Sequence, residues 1–256
     1  MSESILFTVT DGLAHVTLNR PDRLNAIDGE AAERWRDIAA EIAGRDDIGA
    51  MLFDAQGRAF CAGGDVKAMS ELGTTEASAG DGVRRLADLI HEGHRLLRES
   101  STPIVAAVQG AVAGGGLGFM LVADVIVASE KARFVSKYAD IALTPDCGVS
   151  TLLPEAVGRR RAAELLLTPR MLSAAEALDW GLVTEVVAPE VVAERAAEIA
   201  AHWLDGATAA FGHAKRLLHS GAGRSFQASL DDEAVTIGRA FDSADARARV
   251  AAFSAR

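Results

Sequence analysis

Two glycine clusters, Gly63-Gly64 and Gly114-Gly115-Gly116, are where this sequence offers backbone rather than side chains to a ligand. The second follows the uncharged run Ile104 to Val108 and precedes a helix-like apolar segment, Phe119 to Val122. A strand, a glycine turn and a helix start leave main-chain N–H groups unpaired above the turn. Without a Cβ in the way, a ligand can come close to that backbone. The first cluster leads into Asp65, which can cap a short helix and again leaves free amides around Gly64. The chemistry on offer is capture of a ligand atom by main-chain donors, although the same pattern also serves tight strand-to-helix packing. Other reactive side chains promise less. His91 and His94 stand at i, i+3 without further ligands nearby, so they read as solvated helix positions and not as a metal site. Cys61 and Cys147 form neither a disulfide framework nor a metal spacing. No histidine lies close in sequence to Cys147 to activate it, so packing is the better reading of that thiol.

The elements that must position these groups follow from turn chemistry and periodicity. Ile5 to Thr10 and Leu13 to Asn19 read as a hairpin around Asp11-Gly12. After the loop Asn19 to Arg23, Asp28 is the N-cap of a helix to about Ala43. Gly49 to Ala55 and Ile104 to Val108 read as buried strands. Glu71 to Gly82, without periodicity, reads as a surface loop, and Val83 to Glu99 as an amphipathic helix carrying Leu86, Leu89, Ile90 and Leu97. Asp124 to Ala128 reads as a strand and Phe134 to Asp146 as irregular chain. From Leu152 onward the pattern is helical: Arg159 to Leu167, Ser173 to Trp180, Val191 to Leu204, Ala207 to Leu218 and Phe226 to Phe241. Only Val183 to Val187 interrupts it, as a short strand. The shift divides a strand-containing core, residues 1–190, from a helical region, 191–256, that packs back or trades contacts with a neighbouring subunit.

The 256 residues suffice to bury a sizeable core, and half of them are apolar. A formal charge of −10 argues against nucleic acid or a membrane surface as a partner. No apolar run approaches the roughly 20 residues of a membrane span, and Met1 to Thr10 lacks the features of a signal peptide, so the expected location is the cytoplasm.

Four blocks then carry a resemblance across essentially the whole chain. They are Asn19-Arg20-Pro21 with Leu24-Asn25-Ala26; Phe60-Cys61-Ala62-Gly63-Gly64-Asp65-Val66-Lys67; Gly110 to Gly116; and Ser173 to Val183. In order and spacing they resemble the signature blocks of the crotonase (enoyl-CoA hydratase/isomerase) superfamily. The resemblance implies an α/β fold, a spiral of ββα units with a helical C-terminal region, usually assembled as trimers or pairs of trimers. It implies acyl-CoA thioester substrates, with CoA as part of the substrate and no separate cofactor or metal. An oxyanion hole of two backbone amides maps to Gly64 and Gly115. The CoA adenine site maps to the backbone of Ala62 to Val66, including Asp65, with Ala26 among the contacts and Lys67 and Arg23 near the phosphates.

The physics of such a hole is general. Removing a proton beside a thioester carbonyl puts negative charge on its oxygen, and each fixed amide donor there is worth roughly 3 kcal/mol. A helix starting after Gly115 adds a favourable dipole. In hydratases of the family, two glutamates fall at positions that are here Gly118 and Tyr138, so the pair that hydration wants is missing. Instead, Ile141 to Gly148 resembles the Pro-Asp-x-Gly variant of the family's isomerases, including the epoxyphenylacetyl-CoA isomerase group. Asp146, among apolar neighbours, suits a base whose pKa desolvation raises. It could otherwise cap a helix begun at Gly148 or Val149. Asp140 matches no catalytic position, and Tyr138 lines the acyl pocket or donates a hydrogen bond.

The expectation is an acyl-CoA isomerase that shuttles a proton through an enolate. The alternatives are a hydratase or lyase, a thioester hydrolase and a non-catalytic acyl-CoA binder. A dinucleotide site is disfavoured, because G-x-G-x-x-G spacing is not met. The tail, Asp245 to Phe253, departs from the family's ending at Ala248 and Arg249, which weakens any expectation of a CoA contact there.

Overall fold

The computed structural model describes residues 3–72, 79–221 and 223–255. A hairpin of β1 (Ile5–Thr10) and β2 (Leu13–Leu18) opens the chain, with Asp11 and Gly12 both left-handed (φ 49° and 82°), as a tight two-residue turn requires. Helix α1 (Gly29–Ala43) is capped by the Asp28 carboxylate, which accepts from Ala31 N at 3.0 Å. Then follow β3 (Ala50–Ala55), β4 (Ala59–Cys61), α2 (Val66–Leu72), α3 (Ala79–Glu99), β5 (Ile104–Val108), β6 (Ala111–Ala113) and α4 (Gly116–Leu121). The next elements are β7 (Val125–Ser129), β8 (Arg133–Val135), α5 (Val149–Val157), α6 (Arg159–Leu167), β9 (Met171–Ser173), α7 (Ala174–Trp180) and β10 (Glu185–Val187). Four helices finish the chain: α8 (Val192–Asp205), α9 (Thr208–Gly221), α10 (Phe226–Phe241) and α11 (Ala244–Ser254).

Strands β3, β5 and β7 are parallel neighbours in a six-stranded sheet of order β1-β2-β3-β5-β7-β10. Strands β4, β6 and β8 are parallel neighbours in a second sheet of order β4-β6-β8-β9. After the opening hairpin, which puts both its strands in the first sheet, each turn from β3 to α5 lays one strand in each sheet and then a helix, which is the expected ββα spiral. Strand β5 shows why it must sit in the middle. All five of its residues are buried and uncharged, so both faces need cover. Ile104, Ala106 and Val108 enter the main core with Trp35, Phe53, Leu97 and Phe119. Val105 and Ala107 point the other way, beneath Val192, Ala196, Ala200 and Trp203 of α8.

Helix α9 is tied to the spiral by Lys215. Its buried ammonium donates to the carbonyls of Leu97 (2.9 Å) and Thr102 (2.7 Å) and lies 3.3 Å from the Asp124 carboxylate. Among the described helices none is long and apolar enough to cross a membrane.

Several expectations need correction. Of the surface loop expected over Glu71 to Gly82, Glu71 and Leu72 end α2, and α3 already begins at Ala79; residues 73–78 lie outside the described residues. His94 is not solvated. It is buried, accepts from Trp35 Nε1 at 2.9 Å and packs edge-on against Phe119. The segment expected as irregular from Phe134 onward starts inside β8 and contains a single-turn 3₁₀ helix at Ala139–Ile141. Asp124 lies just before β7 because its carboxylate accepts the Ile104 N–H at 2.8 Å instead of joining the ladder.

Candidate active site

The first glycine corner is laced to the loop before α1. Leu24 and Asn25 are both left-handed (φ 53° and 56°), and Asn25 is buried. The Asn25 amide donates to the carbonyls of Gln56 and Ala59 at 2.9 Å each, while its Oδ1 accepts from Arg20 N at 2.8 Å. Backbone bonds complete the lacing: Ala62 N to Leu24 O at 3.0 Å, Ile27 N to Gly63 O and Asp65 N to Ile27 O at 2.8 Å each. This alternation bypasses the Gly64 N–H. At the second corner Gly114 is left-handed (φ 53°), its N–H goes to Val135 O at 3.1 Å, and α4 starts immediately after Gly115. A Cβ built on Gly63 lands 2.9 Å from both Ala113 O and Gly115 N, so the corners are in direct contact. Among the described residues neither the Gly64 N–H nor the Gly115 N–H meets an acceptor. Both glycines line one cavity of about 440 Å³, shared with Ala62, Val66, Tyr138 and Asp146.

Asp146 stands directly beside this pair. Its Oδ1 lies 3.4 Å from where a Gly115 Cβ would be, and accepts the Tyr138 hydroxyl at 2.7 Å. Burial first, then the Asp146 carboxylate, push the Tyr138 phenol well above its ordinary range, so it stays protonated as a donor. Asp146 does not cap α5: the N-cap, Gly148, receives no side-chain bond, and only the Asp146 carbonyl accepts from Val149 N, at 2.9 Å. Burial likewise pushes the Cys147 thiol well above its usual value, with the Asp146 charge adding to the effect, so Cys147 packs as a neutral side chain. Burial holds the other thiol, Cys61, at about 12. Asp140 pairs with Lys137 at 2.6 Å, and both line the cavity. Gly118 has no room for a side chain. A Cβ there would sit 2.1 Å from the Cys147 carbonyl oxygen and 2.6 Å from its Cβ.

Of the residues singled out from sequence, Gly64, Gly115, Asp146, Tyr138, Ala62 and Val66 converge on the cavity. Arg23, Ala26, Asp65 and Lys67 are not among its lining residues. Arg23 and Lys67 are exposed. Ala26 is buried, and its carbonyl accepts from the Arg20 guanidinium. Asp65 caps the start of α2, with Ala68 N at 3.2 Å, and meets Arg20 at 3.1 Å. Although burial opposes its charge, those two donors hold the Asp65 carboxyl below its usual range. Two residues were missed. Arg20 joins Asp65, Asp28 (2.6 Å) and Ala26, and His91 Nε2 accepts the Cys147 N–H at 3.1 Å. Arg20 lies inside a quoted block, but its partners are 6 to 45 residues away and no local pattern announces them.

The ββα spiral, with two touching glycine corners whose amides meet no acceptor among the described residues and a carboxylate beside them, is the architecture of the crotonase fold. A family model described as enoyl-CoA hydratase/isomerase matches residues 8–256, and the chain belongs to that family. Among its relatives is the 1,2-epoxyphenylacetyl-CoA isomerase of Escherichia coli, 34% identical over 100% of this chain and 97% of the relative. The short-chain-enoyl-CoA hydratase of Clostridium acetobutylicum is 30% identical over 94% of this chain and 90% of its own. The crystal structure of an enoyl-CoA hydratase from Bacillus anthracis superposes with a TM-score of 0.90 at 27% identity, covering 98% of this chain and 96% of that one.

Proposed function

We propose that the protein is an acyl-CoA isomerase that moves a double bond by carrying one proton. The Asp146 carboxylate takes a proton from the carbon beside the thioester carbonyl of a 3-enoyl thioester. The electron pair it leaves spreads through the double bond to the carbonyl oxygen, where the Gly64 and Gly115 amides receive the charge. The same carboxyl then returns the proton two carbons along, giving the 2-enoyl thioester with no atom gained or lost. Each amide stabilises the charge by about 3 kcal/mol. Tyr138 orients the carboxylate. Arg23 and Lys67 supply positive charge toward the CoA phosphates in an otherwise acidic chain.

The observation that carries the reading is Asp146: of the two carboxylates lining the cavity among the described residues, it is the one that stands against the Gly115 corner, while Asp140 is paired with Lys137, and position 118 has no space for another. Hydration would call for a second acid or base at the double bond. Asp146→Asn is expected to abolish turnover while acyl-CoA binding persists; full activity in that variant removes the proposed base. Incubation with 2-enoyl and 3-enoyl thioesters and mass detection separates the alternatives. Isomerisation conserves mass, hydration adds water, and hydrolysis frees CoA.

The assembly we infer is a homotrimer or a dimer of trimers. Its support is the apolar surface left open on the last helices: Leu218 (79% exposed), Phe226 (80%), Ile237 (72%) and Phe253 (78%).

A further inference from the structure

The chain that carries Asp146 turns a sharp corner directly after it. Cys147 and Gly148 are both left-handed, with φ 51° and 75°. Glycine takes that conformation freely, whereas a residue with a Cβ does so at a cost of about 1–2 kcal/mol. The corner is therefore held from outside. From beneath, α4 yields space: the missing side chain of Gly118 lets the Cys147 carbonyl sit where a Cβ would be. Ahead of it, Tyr138 grips the Asp146 carboxylate, and behind it Val149 N closes on the Asp146 carbonyl. The peptide between Asp146 and Cys147 has one remaining donor, the Cys147 N–H, and this goes to His91 Nε2 on α3, at 3.1 Å and 56 residues away in sequence. The orientation of that peptide plane fixes ψ of Asp146 and hence where its carboxylate leaves the backbone. In this contact the lone pair of His91 Nε2 is the acceptor. His91 is not among the cavity's lining residues, so it acts through the loop and not on the substrate.

We propose that His91 is a positioning residue: by accepting the Cys147 N–H it holds the Asp146–Cys147 peptide so that the carboxylate stays beside the two glycine corners, a role that depends on Asp146 being the proton carrier proposed above.

His91→Leu removes the acceptor from an exposed helix position, and His91→Gln returns a carbonyl at about the reach of Nε2. With a 3-enoyl thioester, His91→Leu is expected to lower kcat about 10- to 100-fold with KM within about twofold, the pattern of a displaced catalytic group. His91→Gln recovers most of that loss. A second readout needs no turnover: hydrogen exchange at the Cys147 amide is slow in the parent and in His91→Gln, and accelerated in His91→Leu. Parent-like kcat and exchange in His91→Leu overturn the proposal, and so does an equal loss of kcat in both variants. Should Asp146→Asn keep full activity, the base assignment fails, while the exchange rates still decide whether His91 holds this peptide.

Discussion

At the scale of single residues, the proposed reaction separates groups that would touch the reacting atoms from groups that would bring the substrate. Arg23 and Lys67, exposed and outside the cavity lining, are assigned by that proposal to the second kind. Replacing both with Ala should raise KM for an acyl-CoA about 10-fold with kcat little changed, each exposed charge contact being worth about 0.5–1 kcal/mol, and added salt should narrow the difference. Steady-state kinetics at two ionic strengths checks this. His94 tests a different property. Burial lowers its pKa from 6.5 to about 3, because a cation has no place among Trp35 and Phe119. With the folded value depressed, the unfolded chain binds the extra proton first, so the stability tied to neutral His94 is complete above pH 6.5 and drains away as pH falls toward 3. The loss approaches about 1.4 kcal/mol per pH unit within that window. Urea midpoints at neutral and acid pH should therefore diverge more in the parent than in His94→Gln, which cannot take up this proton. His94 Nε2 also lacks a partner among the described residues, so the parent already carries an unsatisfied buried group.

At the scale of elements, α4 and the Asp146 loop are built for each other. Gly118→Ala should cost both stability, by about 1–3 kcal/mol, and turnover, since its Cβ would displace the Cys147 carbonyl. For the same reason Gly118→Glu should lose isomerisation without gaining hydration, which a product assay by mass detects. Much at this scale was legible beforehand. The hairpin turn Asp11-Gly12, strand Ile104–Val108, the Asp28 cap and helix Phe226–Phe241 all stand where local chemistry put them. Strands β6 and β9, three residues each, are too short to show a period and exist because neighbours pair with them. Helix α11 mixes alanine and charge without an apolar stripe, so no periodicity marked it. The glycine corners and Asp146 could be seen in the chain, and so could Tyr138 as a hydrogen-bond donor. His91 could not, because its partner is a main-chain N–H that no side-chain pattern encodes.

At the scale of the molecule, the apolar surfaces of α9 to α11 have no cover among the described residues of the chain. The groove between α9 and α10, about 570 Å³ and lined by Ala214, Leu217, Leu230 and Ile237, continues that surface. Light scattering should return three or six copies. Ile237→Asp should shift the population toward smaller species with α-helical content unchanged, whereas a monodisperse monomer in the parent would refute the assembly.

Lys215 and α8 also impose an order on synthesis. The ribosome releases β3, β5 and β7 long before the helices that roof their outer face, and the carbonyls of Leu97 and Thr102 wait for an ammonium more than a hundred residues downstream. A nascent chain thus carries a bare aliphatic sheet until its last quarter emerges, so the spiral locks only when translation is nearly finished.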